Sequence, residues 1–209
     1  GENAWVDGYG ERLLRRADHF LPLPDNVGFA QGAAIGIPYG TAYRALIQCC
    51  GARSGETMLV HGASGAVGTA ALQIAAGLGL TTIGTAGSAR GLELVAEHGA
   101  AHVLDHTQPG YLNAVADITG GDGPDIILEM LANVNLAEDM AIAAPFGRIG
   151  IIGSRGAVEI NPREAMMKDL SIIAMALPNT PAEAMAEIHA ALGRGLTDGS
   201  LNPVIGQEL

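Results

Sequence analysis

One run constrains the fold of this chain more than any other: Met58-Leu59-Val60-His61-Gly62-Ala63-Ser64-Gly65-Ala66-Val67-Gly68-Thr69. A short apolar strand enters a turn of small residues, and an Ala/Leu-rich helix leaves it. Gly65 has no Cβ, so the main chain there can approach a diphosphate, and Gly68 lets the helix pack close to the strand. Unpaired N–H groups at the helix start, with the positive end of the helix dipole, then face the anion. The motif reads A-x-G-x-x-G, with Ala63 where the strict pattern has glycine. An ordinary strand-to-helix turn is the alternative, but the flanking strand and helix favour a dinucleotide site built from Ala63, Ser64, Gly65, Ala66, Val67 and Gly68.

The rest of the chain alternates in the same way. Strands are expected near Thr57–His61, Thr81–Thr85, His102–Leu104, Asp125–Leu128, Arg148–Ile152 and Leu170–Met175. Helices are expected near Ala66–Gly77, Ala89–Glu97, Tyr111–Ile118, Leu136–Ala143, Arg163–Met167 and Pro181–Leu192, with an earlier one started by Pro38 and running to Cys50. Strands alternating with helices imply βαβ units. The expected fold class is α/β, a Rossmann-type doubly wound parallel sheet of about six strands. Residues 28–209 would form this domain. Residues 1–27, with Trp5, Tyr9, Arg12, Arg15 and Arg16, differ in character and read as trailing strands of another unit plus a Pro-rich connector.

Charge and composition remove several function classes. A net charge of −11 repels nucleic-acid backbones and acidic membranes, and 4% aromatic residues leave few base-stacking platforms. No apolar stretch reaches membrane-spanning length without interruption, which makes the cytoplasm the expected location. Cys49 and Cys50 are neighbours on a helix, a poor arrangement for a metal site or a disulfide, and they read as small buried hydrophobes in a reducing compartment. Lys168 is the sole lysine, so arginine or main-chain amides must supply any phosphate recognition.

The choice of dinucleotide is decided about 20 residues past the glycine turn, where NAD enzymes place a carboxylate on the ribose. This chain has Thr85-Ala86-Gly87-Ser88-Ala89-Arg90 there, with no carboxylate. Arg90 as charge partner and Ser88 as neutral donor suit a 2′-phosphate, and so NADPH. A solvated helix residue is the other reading of Arg90. His106, past the third strand, could flank the adenine or be a plain surface histidine. Asn133 and Asn135 follow the fourth strand and could bond the ribose or nicotinamide, or cap a helix. The segment Ile152, Gly153, Ser154, Arg155 ends the fifth strand on the same edge, as a cofactor contact or a plain turn.

These residues carry a resemblance to a known family. Gln31-Gly32-Ala33-Ala34-Ile35-Gly36-Ile37-Pro38-Tyr39, Val60-His61-Gly62-Ala63-Ser64-Gly65, Gly84-Thr85-Ala86-Gly87-Ser88 and Glu129-Met130-Leu131-Ala132-Asn133 resemble the zeta-crystallin-like NADPH:quinone oxidoreductases of the medium-chain dehydrogenase/reductase superfamily. Gly153-Ser154-Arg155-Gly156 and Glu159-Ile160-Asn161-Pro162-Arg163 extend the match. The resemblance implies direct hydride transfer from NADPH to a quinone without catalytic zinc. It implies cofactor contacts at Ser64, Gly65, Ala66, Val67, Gly87, His106, Asn135, Ile152 to Arg155, and Met175, Ala176 and Leu177. Thr41 would stand at a helix start facing the nicotinamide, and a homodimer would form through the Leu170–Leu177 edge strand. It further implies that most of a GroES-like catalytic domain, and a final helix and strand, are missing from this chain, so no catalytic residue is assigned. An enoyl-thioester reductase of the same superfamily, or a non-catalytic NADPH-binding module, are the competing functions.

Overall fold

The structure is a computed structural model and describes Arg12, Leu14 and residues 20–207. Most of the segment read as another unit's trailing strands, including Trp5, Tyr9, Arg15 and Arg16, lies outside the described residues. Fifteen-residue α1 (Phe29–Tyr43) widens into a π-helical stretch over Arg44–Cys49. There follow β1 (Thr57–Val60), α2 (Ala66–Leu78), β2 (Thr81–Ala86), α3 (Ala89–Glu97), β3 (His102–Asp105) and α4 (Asn113–Ile118). The second half continues with β4 (Ile126–Glu129), α5 (Ala132–Ile142), β5 (Arg148–Ile151), α6 (Pro162–Lys168), β6 (Ser171–Ala174) and α7 (Ala182–Asp198).

All five strand pairings are parallel, and the sheet order is β3-β2-β1-β4-β5-β6. The expected Rossmann-type sheet of six strands is thus the observed one. Chain direction along the sheet reverses between β1 and β4, and ligands of such sheets bind at the carboxyl ends beside that switch.

Side-chain alternation along the strands builds two cores. Met58 and Val60 of β1 with Ile126 and Leu128 of β4 face a cluster completed by α1, α2 and α7. Leu59, Ile83, Ile127 and Ile149 face the opposite cluster, under α4, α5 and α6. Leu72 on α2 is fully buried, a contribution of ~1.5–3 kcal/mol from apolar area alone. Central β4 is buried at every position, as a strand covered on both faces must be.

The helix boundaries correct three expectations. Pro38 lies inside α1 rather than at its start. The Ala-rich segment before it is already helical, begun at Gly28, whose N–H donates to Gln31 Oε1 at 3.1 Å. Packing of α1 against α2 and burial of Tyr39–Ala42 hold the helix past the donor that proline lacks. α5 starts four residues earlier than expected, so Asn133 and Asn135 are helical residues, not loop residues. α7 runs on to Asp198 and stops at left-handed Gly199.

Lys168 ends α6 and turns toward the end of α5. Its Nζ donates to the carbonyls of Met140 (3.3 Å), Ala141 (2.5 Å) and Ala143 (2.9 Å), oxygens that a helix terminus leaves unsatisfied. Nearby Phe146 is 71% exposed and sits at φ 63°, a left-handed conformation that side chains with a Cβ disfavour.

Candidate dinucleotide site

The glycine turn is built by three tethers. His61 N–H donates to Leu128 O of β4 (3.1 Å), Gly62 N–H to Thr85 Oγ1 of β2 (3.1 Å) and Ala63 N–H to Thr85 O (2.8 Å). Gly62 adopts φ 58°, which its missing Cβ makes cheap. Gly65 is the N-cap of α2, extended and exposed, so the free first-turn N–H groups of a 13-residue helix open onto the carboxyl edge of the sheet.

Gly68 is fixed by packing: a Cβ there would lie 2.5 Å from Ala63 Cα and 2.6 Å from Ala63 O. The departure from the strict motif is accommodated next door. Ala63 is fully buried, and the space for its methyl is left by Gly84 on β2, where an added Cβ would come within 3.1 Å of it. Ala63 therefore belongs to the packing beneath the turn. Ser64, Ala66 and Val67 form the rim with Gly65.

At the end of β2, Gly87 is exposed and faces His106, whose Nε2 would lie 2.5 Å from a Cβ at that position. Ser88 caps α3 by accepting a hydrogen bond from Gly91 N–H (3.1 Å), and its own hydroxyl proton is left to donate. Arg90 is exposed in the first turn of α3. Gly87, Ser88, Arg90 and His106 thus gather at the carboxyl ends of β2 and β3.

On the other side of the switch, Asn133 Oδ1 accepts from Arg155 N–H (2.8 Å), and Asn135 Nδ2 donates to Glu129 Oε1 (3.2 Å). Neither asparagine is the N-cap of α5, which is Leu131. Gly153 sits so close to Met130 that a Cβ would lie 2.4 Å from its carbonyl oxygen, and Ala132 N–H donates to Gly153 O (2.9 Å). Ile152, Gly153, Ser154 and Arg155 are therefore held against the start of α5. Met175, Ala176 and Leu177 follow β6. Arg44 donates to Ala176 O (2.8 Å), and Leu177 packs on Gly40. Thr41 is buried in the last turn of α1, not at a helix start, because that helix begins before Pro38.

The sequence reading missed a buried group behind the turn. His61 Nε2 lies 2.8 Å from Asp139 Oδ1 and 3.6 Å from Glu129 Oε2, and both carboxylates are fully buried. Burial, reinforced by a hydrogen bond with Asp139, pushes the Glu129 carboxyl up to about 7, against the opposing pull of His61. Burial alone would lower the His61 imidazole, but the hydrogen bond and charge of Asp139, with Glu129 behind, raise it overall. The available signal was a glutamate at the end of an otherwise apolar strand.

A surface depression of about 1170 Å³ lies between residues 21–26 and α7. It includes none of the carboxyl-edge residues, so size alone does not mark the site.

The family profile described as zinc-binding dehydrogenase matches residues 66–192. The chain is 48% identical to the quinone oxidoreductase of Homo sapiens over 96% of its own length, and spans 61% of that relative. It is similar to the crystal structure of the quinone oxidoreductase from Thermus thermophilus, solved also as its complex with NADPH, at 31% identity and TM-score 0.78 over 88% of this chain and 60% of that one. The CurF ER cyclopropanase of the curacin A biosynthetic pathway is 26% identical with TM-score 0.79, over 90% of this chain and 57% of that one. With the strand order, the glycine turn and the profile in agreement, the chain belongs to the zinc-binding dehydrogenase family of the medium-chain dehydrogenase/reductase superfamily.

Proposed function

We propose that this chain binds NADPH along the carboxyl edge of its sheet and that the protein reduces a quinone with it, without a catalytic zinc. The observation that carries the proposal is the open first turn of α2 beside a turn kept free of side chains at Gly62 and Gly65. Ser64, Gly65, Ala66 and Val67 would hold the diphosphate with main-chain N–H groups. Arg90 and the Ser88 hydroxyl would take the 2′-phosphate, and Gly87 with His106 would border the adenosine. Asn135 and the 152–155 segment would border the nicotinamide ribose, with Asn133 holding that segment in place and Thr41 and 175–177 closing the far side.

When bound, NADPH supplies the hydride. The chain's part is to fix the cofactor's position and exclude water. Among the described residues, the donor atoms that come together in metal-ligand fashion are those of His61, Glu129 and Asp139. That group is fully enclosed, which does not fit a catalytic zinc needing a coordination position open to substrate. The cysteines offer no better site: Cys50 is buried and its thiol is pushed up to about 12, chiefly by burial. Edge strand β6 exposes Ser171, Ile172 and Ala174, which supports a homodimer joined through it. No helix among the described residues is long and apolar enough to cross a membrane.

The test is calorimetric titration with NADPH and NADH, paired with turnover of quinones and enoyl thioesters. Gly65→Val is expected to abolish binding of both cofactors while the helical circular dichroism is retained. Arg90→Ala is expected to weaken NADPH more than NADH by ~1–3 kcal/mol, one charge-assisted hydrogen bond. Unchanged NADPH affinity in the Gly65 variant refutes the diphosphate site. Preference for enoyl thioesters over every quinone refutes the acceptor.

A further inference from the structure

We propose that His61, Glu129 and Asp139 act as a proton-sharing positioning cluster, and that the cluster's protonation sets how tightly the two turns flanking the β1–β4 switch hold the dinucleotide. The inference rests on the NADPH reading above for its cofactor, and adds a device that the reading does not require.

The geometry ties both sides of the crevice to one buried carboxyl. His61 opens the glycine turn after β1, Glu129 ends β4, and Asp139 lies further along α5. Glu129 Oε1 accepts hydrogen bonds from Leu131 N–H and, at 3.2 Å, from Asn135 Nδ2. Its main-chain oxygen accepts from Ile152 N–H (2.9 Å) and Gly153 N–H (3.3 Å). One residue therefore orients the start of α5 and the segment after β5, while its side chain meets His61 from the other side.

Proton count is the decisive feature. Two carboxylates and one imidazole share a space closed to water, and one imidazolium can neutralise only one of the carboxylates. With both acids ionised, Glu129 Oε2 and Asp139 Oδ2 are buried with no hydrogen-bond donor. A proton on Glu129 turns an acceptor into a donor toward Asp139 and removes the surplus charge. The acid held up to about 7 and the raised imidazole agree with that arrangement, in which the protons belong to the group jointly. Tyr111, ahead of α4, and Glu138 on α5 are the other titratable groups that face it. Tyr111 is itself raised to about 12, by burial first and then by Asp139, Glu138 and Glu129. Loss of the shared proton adds a negative charge behind an anion site and leaves a repulsive carboxylate pair under both turns.

The experiment measures NADPH affinity and the His61 imidazole ¹⁵N resonances of the 209-residue chain from about pH 6 to 8.5. NADPH affinity is expected to fall by about tenfold across that range, the effect of one partly screened charge on a diphosphate. Glu129→Gln accepts from Leu131 and Asn135 and donates toward Asp139 at every pH. It is expected to keep the low-pH affinity throughout. The 2′-phosphate of the cofactor titrates equally with both proteins and cancels in the comparison. If Glu129→Gln does not fold, Asp139→Asn, which also removes one charge, is expected to flatten the profile. Parallel profiles for wild type and variant overturn the proposal, as does an imidazole that titrates as an isolated histidine. Stoichiometric binding of Zn²⁺ at His61 by the wild type overturns it too, since the same donors would then be metal ligands. Failure of the wild type to bind NADPH at any pH removes the cofactor reading, while the imidazole titration still reports on the cluster.

Discussion

Replacing Gly68 and Gly77, both on α2, with alanine separates packing from helix propensity, because the same change on one helix should move stability in opposite directions. At Gly68 a methyl would lie 2.5–2.7 Å from three backbone atoms of Ala63, where ordinary contact begins at 3.4 Å. Backbone cannot swing aside as a flexible side chain does, so α2 must retreat from the turn at Ala63 by 3.4 − 2.5 = 0.9 Å. Overpacking a tight interior costs about 1–3 kcal/mol, here near the top of that range, and alanine's helix propensity returns up to ~1 kcal/mol. The net loss is ~2 kcal/mol, or about 4–8 °C in Tm for a chain this long. At Gly77 a methyl meets nothing within 4 Å, so only propensity acts and the gain is ~0.8 kcal/mol. Urea and thermal unfolding followed by circular dichroism read both. The retreating helix also withdraws its first-turn N–H groups, so NADPH binding to Gly68→Ala is expected to weaken at least about tenfold. A Gly68→Ala protein as stable as Gly77→Ala would refute the account of why that position is glycine.

Phe146→Gly is expected to stabilise the chain, since it removes the ~1–2 kcal/mol that the left-handed conformation costs a side-chain-bearing residue, while glycine's extra unfolded-state freedom offsets only ~0.5–1 kcal/mol of that gain; a lower urea midpoint would contradict it. Stability should also fall as pH rises through neutrality. The Glu129 carboxyl, held up to about 7 by burial and by Asp139, lies above its ordinary 4.5, so the group's contribution is full below about 4.5 and is lost as pH rises through about 7. His61, also raised, acts in the same sense. Urea midpoints between about pH 5 and 8 test this above the range where Glu56, held low by Arg148 in spite of its burial, acts oppositely. A midpoint that rises with pH would contradict it.

The sheet was legible because its signals are local. Each strand carries a short apolar stretch, and all six appear within two residues of their expected ends. The glycine turn was legible for the same reason. The misplaced helix starts share a cause: packing overrode local punctuation. Proline at 38 reads as a beginning only if the Ala/Gly segment before it is ignored, and Asn133 reads as a loop residue only if its bond to Arg155 is unseen. The roles of Ala63 and Gly84 could not be separated in sequence, because one methyl fits only through the absence of another 21 positions away (84 − 63 = 21). The His61–Glu129–Asp139 group was invisible for a deeper reason. Its members lie up to 78 positions apart, and each has a bland local reading.

The way Lys168 closes the end of α5 has a practical corollary. The only side-chain ammonium in these 209 residues is engaged by three carbonyl oxygens, so lysine-directed acylation, read by peptide mapping, has one side-chain target, and the native fold guards it. Its rate of acylation therefore reports the fraying of that one helix end, a site-specific clock that needs no engineered label.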